Sequence, residues 1–282
     1  MKKVCMVLAI VLLATILLSL IVTFVGRYMP IGEKIALVRV EGPIVSSGSA
    51  IEQLRKYRKD SSVKAIVLRV DSPGGAVGPS QEIYEEVGKL MKIKPVVVSM
   101  GSVAASGGYY ISAPATKIYA NPGTVTGSIG VIMEIPNFKG LMDKVGIRTE
   151  VIKSGKHKDL ASVFRGISKG DRAILQGVLD DVHDQFIRAV SEGRGIPYER
   201  VREIADGRVF TGRQAKAVGL VDALGNMQDA IMEAARLGGI KGEPNVVSKK
   251  EKSSIFDLLT SRIPKELKAA FGTVSLKYTM YY

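Results

Sequence analysis

The chain has 282 residues, with 40 Lys and Arg against 27 Asp and Glu, a formal charge of +13, 46% hydrophobic residues and a single Cys. That length and balance fit a folded protein of one large or two small domains, and they exclude collagen-like, disulfide-rich and disordered classes. With Cys5 alone and only His157 and His183, neither a thiolate zinc cluster nor a His-rich metal site can be built.

Val4 to Val25 runs for 22 residues without a charge. At about 1.5 Å per residue such a helix crosses a hydrocarbon core of roughly 30 Å. It is longer than the apolar core of a cleaved signal, and the following GRYMPIGEK offers no small-x-small cleavage site, so a retained anchor is expected. Lys2 and Lys3 place the N-terminus in the cytoplasm and the rest outside, although Arg27 and Lys34 oppose that bias. The expected organisation is a tail and anchor over 1–29, a catalytic body over 30–240 and a basic linker and tail over 241–282.

Beyond the anchor, the β-branched runs 34–42, 64–72 and 95–101 read as buried strands. Between them, 50–59 and 79–92 carry apolar residues at helical spacing. This alternation is the βαβ signature of an α/β domain with a mostly parallel sheet. Residues 117–122 and 148–154 read as further strands. A long helix over 171–193 carries the stripe Ile174, Val178, Val182, Phe186 and Val190, with His183 flanked by Asp181 and Asp184 as a solvated residue. Helices over 198–205 and 222–239 follow, and from Lys241 the chain reads as a polar tail with an amphipathic stretch over 255–271.

Three segments carry candidate chemistry. In Asp71-Ser-Pro-Gly-Gly, Pro73 fixes φ and the glycines leave amides free to form an oxyanion hole, or simply a tight turn. In Gly101-Ser-Val-Ala-Ala-Ser-Gly-Gly-Tyr-Tyr, small residues surround Ser106, which is a nucleophile or a helix cap. This is no G-x-S-x-G elbow, because Ala104 stands at the first glycine. The third segment, Lys153-Ser-Gly-Lys-His-Lys-Asp, departs from a phosphate-binding loop and offers three lysines. A lysine acting as general base must fall from about 10.4 to about 7–8, which burial supplies.

With DSPGG at 71–75, SVAASGGYY at 102–110, TVTGSIGV at 124–131 and SGKHKD at 154–159, the chain resembles the signal peptide peptidase A (SppA) family over roughly residues 33–237. The resemblance implies a ClpP/crotonase-like spiral of βαβ units behind an N-terminal transmembrane helix. It also implies a Ser-Lys serine endopeptidase acting on released signal peptides and similar hydrophobic peptides. It puts the nucleophile on Ser106, the base on Lys158, a lysine-orienting hydroxyl on Ser128, and the oxyanion hole on Gly74 and Gly107. Val103, Ile129 and Met133 are expected to line an apolar groove. ClpP places a histidine about 25 residues after its serine; Val131 stands there, so a Ser-Lys dyad is the version this chain supports.

No cofactor or metal is implied. One catalytic copy of this length suggests a ring-like homo-oligomer in a prokaryotic cell membrane, with a lysine reaching a neighbour's serine. The alternatives are a catalytically silent membrane scaffold and a crotonase-like acyl-CoA enzyme. The basic residues lack aromatic interleaving, which argues against nucleic acid and for attraction to anionic lipid, with 249–252 and 262–268 as candidates.

Overall fold

The computed structural model describes residues 6, 10–20, 32–249 and 277–279. The elements run β1 (Lys34–Glu41), α1 (Gly48–Lys59), β2 (Val63–Ser72), β3 (Gly74–Ala76), α2 (Val77–Met91), β4 (Val96–Ala105) and α3 (Gly107–Ser112). They continue through β5 (Lys117–Ala120), β6 (Val125–Gly127), α4 (Lys139–Lys144), α5 (Lys169–Arg194), α6 (Tyr198–Ile204), β7 (Val209–Thr211), α7 (Gly212–Ala217), β8 (Ala223–Leu224) and α8 (Met227–Leu237). Two short strands close the chain, β9 (Asn245–Ser248) and β10 (Lys277–Thr279).

The β-branched runs pair in parallel, β1 with β2 and β2 with β4, with Ala36 beside Ile66 and Ile66 beside Val96. Their side chains alternate between two cores, as the pleat requires. Ala36, Val38, Ile66, Leu68, Val96 and Val98 face the main core beneath α1, α2, α3 and α5, while Ile35, Leu37, Ala65, Val67 and Val97 meet α8 on the other face. Burial on both faces explains why these strands read as continuous apolar runs rather than alternating ones. The main sheet is ordered β7-β6-β4-β2-β1-β9, with β5 and β8 branching from β4, and every pairing in it is parallel except β6 with β7. This parallel-dominated α/β architecture agrees with a ClpP-like fold.

Several expectations change. Among the described residues no helix is long and apolar enough to cross a membrane: residues 6 and 10–20 are helical, and the other residues of the 4–25 run lie outside the described residues. No strand forms over 148–154, where every side chain is exposed and no neighbouring strand offers a ladder. The polar segment after 240 is not wholly outside the sheet, because β9 pairs in parallel with β1 and extends its edge. The amphipathic stretch over 255–271 and the basic candidates over 250–252 and 262–268 lie outside the described residues, while Lys249 pairs with Glu52 at 2.9 Å. On α5, Val182, Phe186 and Val190 are buried, whereas Ile174 and Val178 are each 41% exposed, so only the second half of the stripe meets the core.

Candidate active site

The site is built where β4 changes partners. Its first half pairs with β5 at Val97 to Ser99 and its second with β6 at Val103 to Ala105. Against β2, Val70 sits opposite Met100 and Ser72 opposite Ala104, so four steps along β4 face two along β2 and two residues bulge out. Side chains take over the lost ladder bonds. Arg69 Nη1 donates to Met100 O at 3.0 Å, Thr124 Oγ1 to Gly101 O at 2.7 Å and Thr126 Oγ1 to Ala104 O at 2.6 Å. The Val103 amide donates to Asp71 Oδ1 at 3.1 Å. Gly101 leaves room for that carboxylate, since a Cβ there would lie 2.4 Å from Asp71 Cγ.

Ser106 follows β4 directly. Its backbone holds φ 53° and ψ −117°, a conformation that L residues rarely adopt. The Ser106 amide donates to Gly127 O at 2.8 Å, and its carbonyl accepts from Tyr110 at 2.8 Å. With the backbone held at both ends, Ser106 is 1% exposed and its Oγ has no hydrogen-bond partner among the described residues. Capping does not use this hydroxyl, since no side-chain cap bond is made to α3. A buried, unpaired hydroxyl on a strained turn carries a cost that an ordinary structural serine does not. Tyr109 and Tyr110 hold α3 from below: the Tyr109 hydroxyl donates to Leu220 O at 2.9 Å, and the Tyr110 ring packs 4.9 Å from both Tyr84 and Phe186.

The amide of Gly107 opens α3 and has no acceptor among the described residues. Gly74 lies on the adjoining turn, with its amide donating to Ser72 Oγ at 3.1 Å. The two motifs touch closely, since a Cβ at Gly108 would lie 2.7 Å from Ser72 O. Along the same turn, β10 pairs antiparallel with β3, Tyr278 opposite Gly75 and Thr279 opposite Gly74, and lies against α3. A stretch of the chain's own backbone thus runs as a strand beside the serine turn.

Ser128 also takes positive φ, 49°, and its amide donates to Arg208 O at 2.9 Å. It stands next to Gly127, the acceptor for Ser106, so the two hydroxyl-bearing turns are adjacent. Ser128 opens into a cavity of about 460 Å³ lined also by Val131, Ile132, Asp180, His183 and Asp206. His183 is therefore not a fully solvated residue: α5 turns it toward this cavity, and Nε2 is buried without a hydrogen-bond partner among the described residues. Of the expected groove residues, Val103 and Met133 are half-buried, whereas Ile129 is fully buried in the main core.

Lys158 lies on the long connection between α4 and α5 and is exposed. Among the described residues no hydrogen bond joins it to Ser106 or Ser128. A charge cluster holds the next residue: Asp159 accepts from Lys153 Nζ at 2.5 Å and from Arg165 Nε at 2.9 Å, and Arg165 Nη1 reaches Asp171 at 2.6 Å. The Arg165 guanidinium, helped at Asp159 by Lys153, holds both carboxyls far below the usual range, Asp171 at about 2. In return the two carboxylates raise Arg165 further. Motif reading passed over Arg165, Asp171 and the Thr124 and Thr126 hydroxyls; for Asp171 the signal was Ser168-Lys-Gly-Asp, which forms a capping box at the start of α5.

Comparison with known proteins agrees with this geometry. Residues 89–241 match the model of peptidase family S49, and residues 36–125 match that of Clp protease. A Synechocystis sp. protein named as a protease is 44% identical over 209 residues, 74% of this chain and 76% of its own. An Enterococcus faecium protein named as a signal peptide peptidase, SppA, is 38% identical over 71% of this chain and 62% of its own length. Protease 4 of Haemophilus influenzae is 39% identical over 72% of this chain, which spans 35% of that longer protein. A scaffold without activity and an acyl-CoA enzyme are both disfavoured by these matches. The strained serine at the end of β4, the glycine turn packed against it and the family match together make this chain a member of peptidase family S49, a serine peptidase.

Proposed function

We propose that the chain is a membrane-anchored endopeptidase that cleaves released signal peptides and similar hydrophobic peptides through a Ser106–Lys158 dyad. The observation that carries this reading is Ser106 itself, buried, unpartnered and strained beside an open helix amide. Substrate backbone would add to β3 as an extended strand, in the position where β10 pairs. Neutral Lys158 takes the Ser106 proton as Oγ attacks the scissile carbonyl. The resulting oxyanion accepts from Gly107, and from Gly74 once its amide turns from Ser72. The C–N bond then breaks as the lysine returns the proton to the leaving amine, leaving an acyl ester on Ser106. Water, deprotonated by the same lysine, attacks this ester; the C–O bond breaks and the serine regains its proton.

Lys158 is exposed in a single chain, whereas a lysine base requires shielding. A second copy packed on this connection supplies it. Phe138, Leu141, Val145 and Ile147 on α4 and its flanks are between 46% and 59% exposed, an apolar stretch that such a copy would cover. Ser128 then orients the arriving amine. The apolar run of residues 4–25 anchors this assembly in the cell membrane with its body on the extracytoplasmic side.

Detergent-solubilised protein tested on a fluorogenic apolar peptide should lose turnover in both Ser106→Ala and Lys158→Ala while keeping its circular dichroism. Wild-type turnover in either variant would refute the dyad.

A further inference from the structure

A general base works only if held within a fraction of an ångström of its place, and a misplacement of about 1 Å costs on the order of 10²-fold in rate. Packing does not provide that hold on the stretch leading up to Lys158. Residues 145–158 form no regular element, Ile152 is fully exposed, and Val145, Ile147 and Val151 are at least half exposed. The local backbone bonds, such as Lys158 N–H to Gly155 O at 3.1 Å, close turns within the connection without tying it to the core.

Arg165 makes that tie. Nε donates to Asp159 Oδ2 at 2.9 Å, and Nη2 to the Asp159 carbonyl at 3.0 Å, gripping both side chain and backbone of the residue after Lys158. Nη1 donates to Asp171 Oδ2 at 2.6 Å and to Gly166 O at 2.9 Å. Asp171 is 5% exposed and accepts from the Ser168 amide at 3.2 Å in the capping box of α5, a helix whose later turns sit in the main core. The hydrogen-bonded path from core to base is therefore α5, Asp171, Arg165, Asp159, Lys158, while His157 on the other side of Lys158 lies with Nδ1 3.8 Å from Asp171 Oδ1. A planar fork with five donors can hold two carboxylates and a carbonyl at once, whereas an ammonium, as a point charge, cannot fix that geometry.

We propose that Arg165 is the positioning residue for the lysine base, fixing the Lys158 backbone to α5 through Asp159 and Asp171. The inference rests on the reading of Lys158 as base, and its test separates the two. Initial rates of the full chain in detergent are compared for wild type, Arg165→Gln, Arg165→Lys, Arg165→Gly, Lys158→Ala and Ser106→Ala.

Arg165→Gln should lower kcat by about 10²-fold while KM and the melting midpoint stay near wild type. Arg165→Lys should fall between, and added guanidinium should restore part of the kcat of Arg165→Gly. Wild-type kcat in Arg165→Gln with Lys158→Ala silent overturns the positioning role alone. Losses shared by kcat, KM and melting, without a guanidinium response, also overturn it by showing a mere brace. Full activity in Lys158→Ala with Ser106→Ala silent overturns the base assignment and this inference with it. Should Arg165→Gln fail to fold, wild-type kcat in Arg165→Lys carries the refutation.

Discussion

Ser106 sits at φ 53° and ψ −117°, where glycine is at ease and any Cβ is strained by roughly 1–3 kcal/mol. In the proposed mechanism the chemistry requires a side chain at this position, which accounts for the strain. Comparing two inactive variants isolates it. Ser106→Gly should melt above Ser106→Ala by a few degrees, since about 1 kcal/mol moves the midpoint of a domain this size by about 2–4 °C; an equal or lower midpoint would show that the turn is relaxed. Asp71 matters for a related reason. Asp71→Ala leaves the Val103 amide without its acceptor, a loss of about 1–3 kcal/mol in urea unfolding. Asp71→Asn keeps an oxygen there and should retain most of that stability; equal losses in the two would remove the hydrogen bond from the account.

At the level of elements, the two halves of the proposed site are held by different forces. The serine side is core: β4 is locked by side-chain bonds across its change of partner, and α3 by buried tyrosines. The lysine side is electrostatic, held by Arg165 and two carboxylates whose folded values are depressed. Depressed carboxylates stabilise the fold above their unfolded value, about 4. That contribution fades as pH falls toward the folded value, about 2 for Asp171. Hydrogen exchange over 153–165, corrected for intrinsic rates, should therefore match at pH 7 and pH 5 and rise only below about pH 4. A rise already at pH 5 would mean that something other than these carboxylates holds the connection.

For the whole molecule, the unresolved chemical demand in a single chain is the meeting of base and nucleophile. Ser106 is enclosed at the end of β4, and Lys158 stands exposed on the connection between α4 and α5. If assembly brings one chain's lysine to another's serine, mixing inactive Ser106→Ala with inactive Lys158→Ala and letting subunits exchange should restore measurable peptide cleavage. Continued silence, with exchange verified by differently labelled subunits, would place both members of the dyad in one chain. On the proposed membrane-anchored reading, the +13 charge belongs to this scale as well, because an anchored basic body would be drawn to anionic lipid.

Local order carried much of the reading. β-branched runs such as 64–72 bury both faces wherever they are placed, so strands, intervening helices and a parallel sheet follow from the residues alone. Scarcity of Cys and His likewise removed thiol, metal and triad chemistry before any contact was known. Residues 148–154 failed by the same logic: a short β-branched run becomes a strand only if another strand lies beside it, and none does. His183 looked solvated because its neighbours are acidic, yet the packing of α5 turns it toward the Ser128 cavity. Composition and motif thus determined which side chains could perform the chemistry. Only the tertiary structure decided which turns are strained, which amides are left open, and how Arg165 ties the lysine's neighbour to a helix, because these depend on residues far apart in sequence competing for the same hydrogen bonds and the same space.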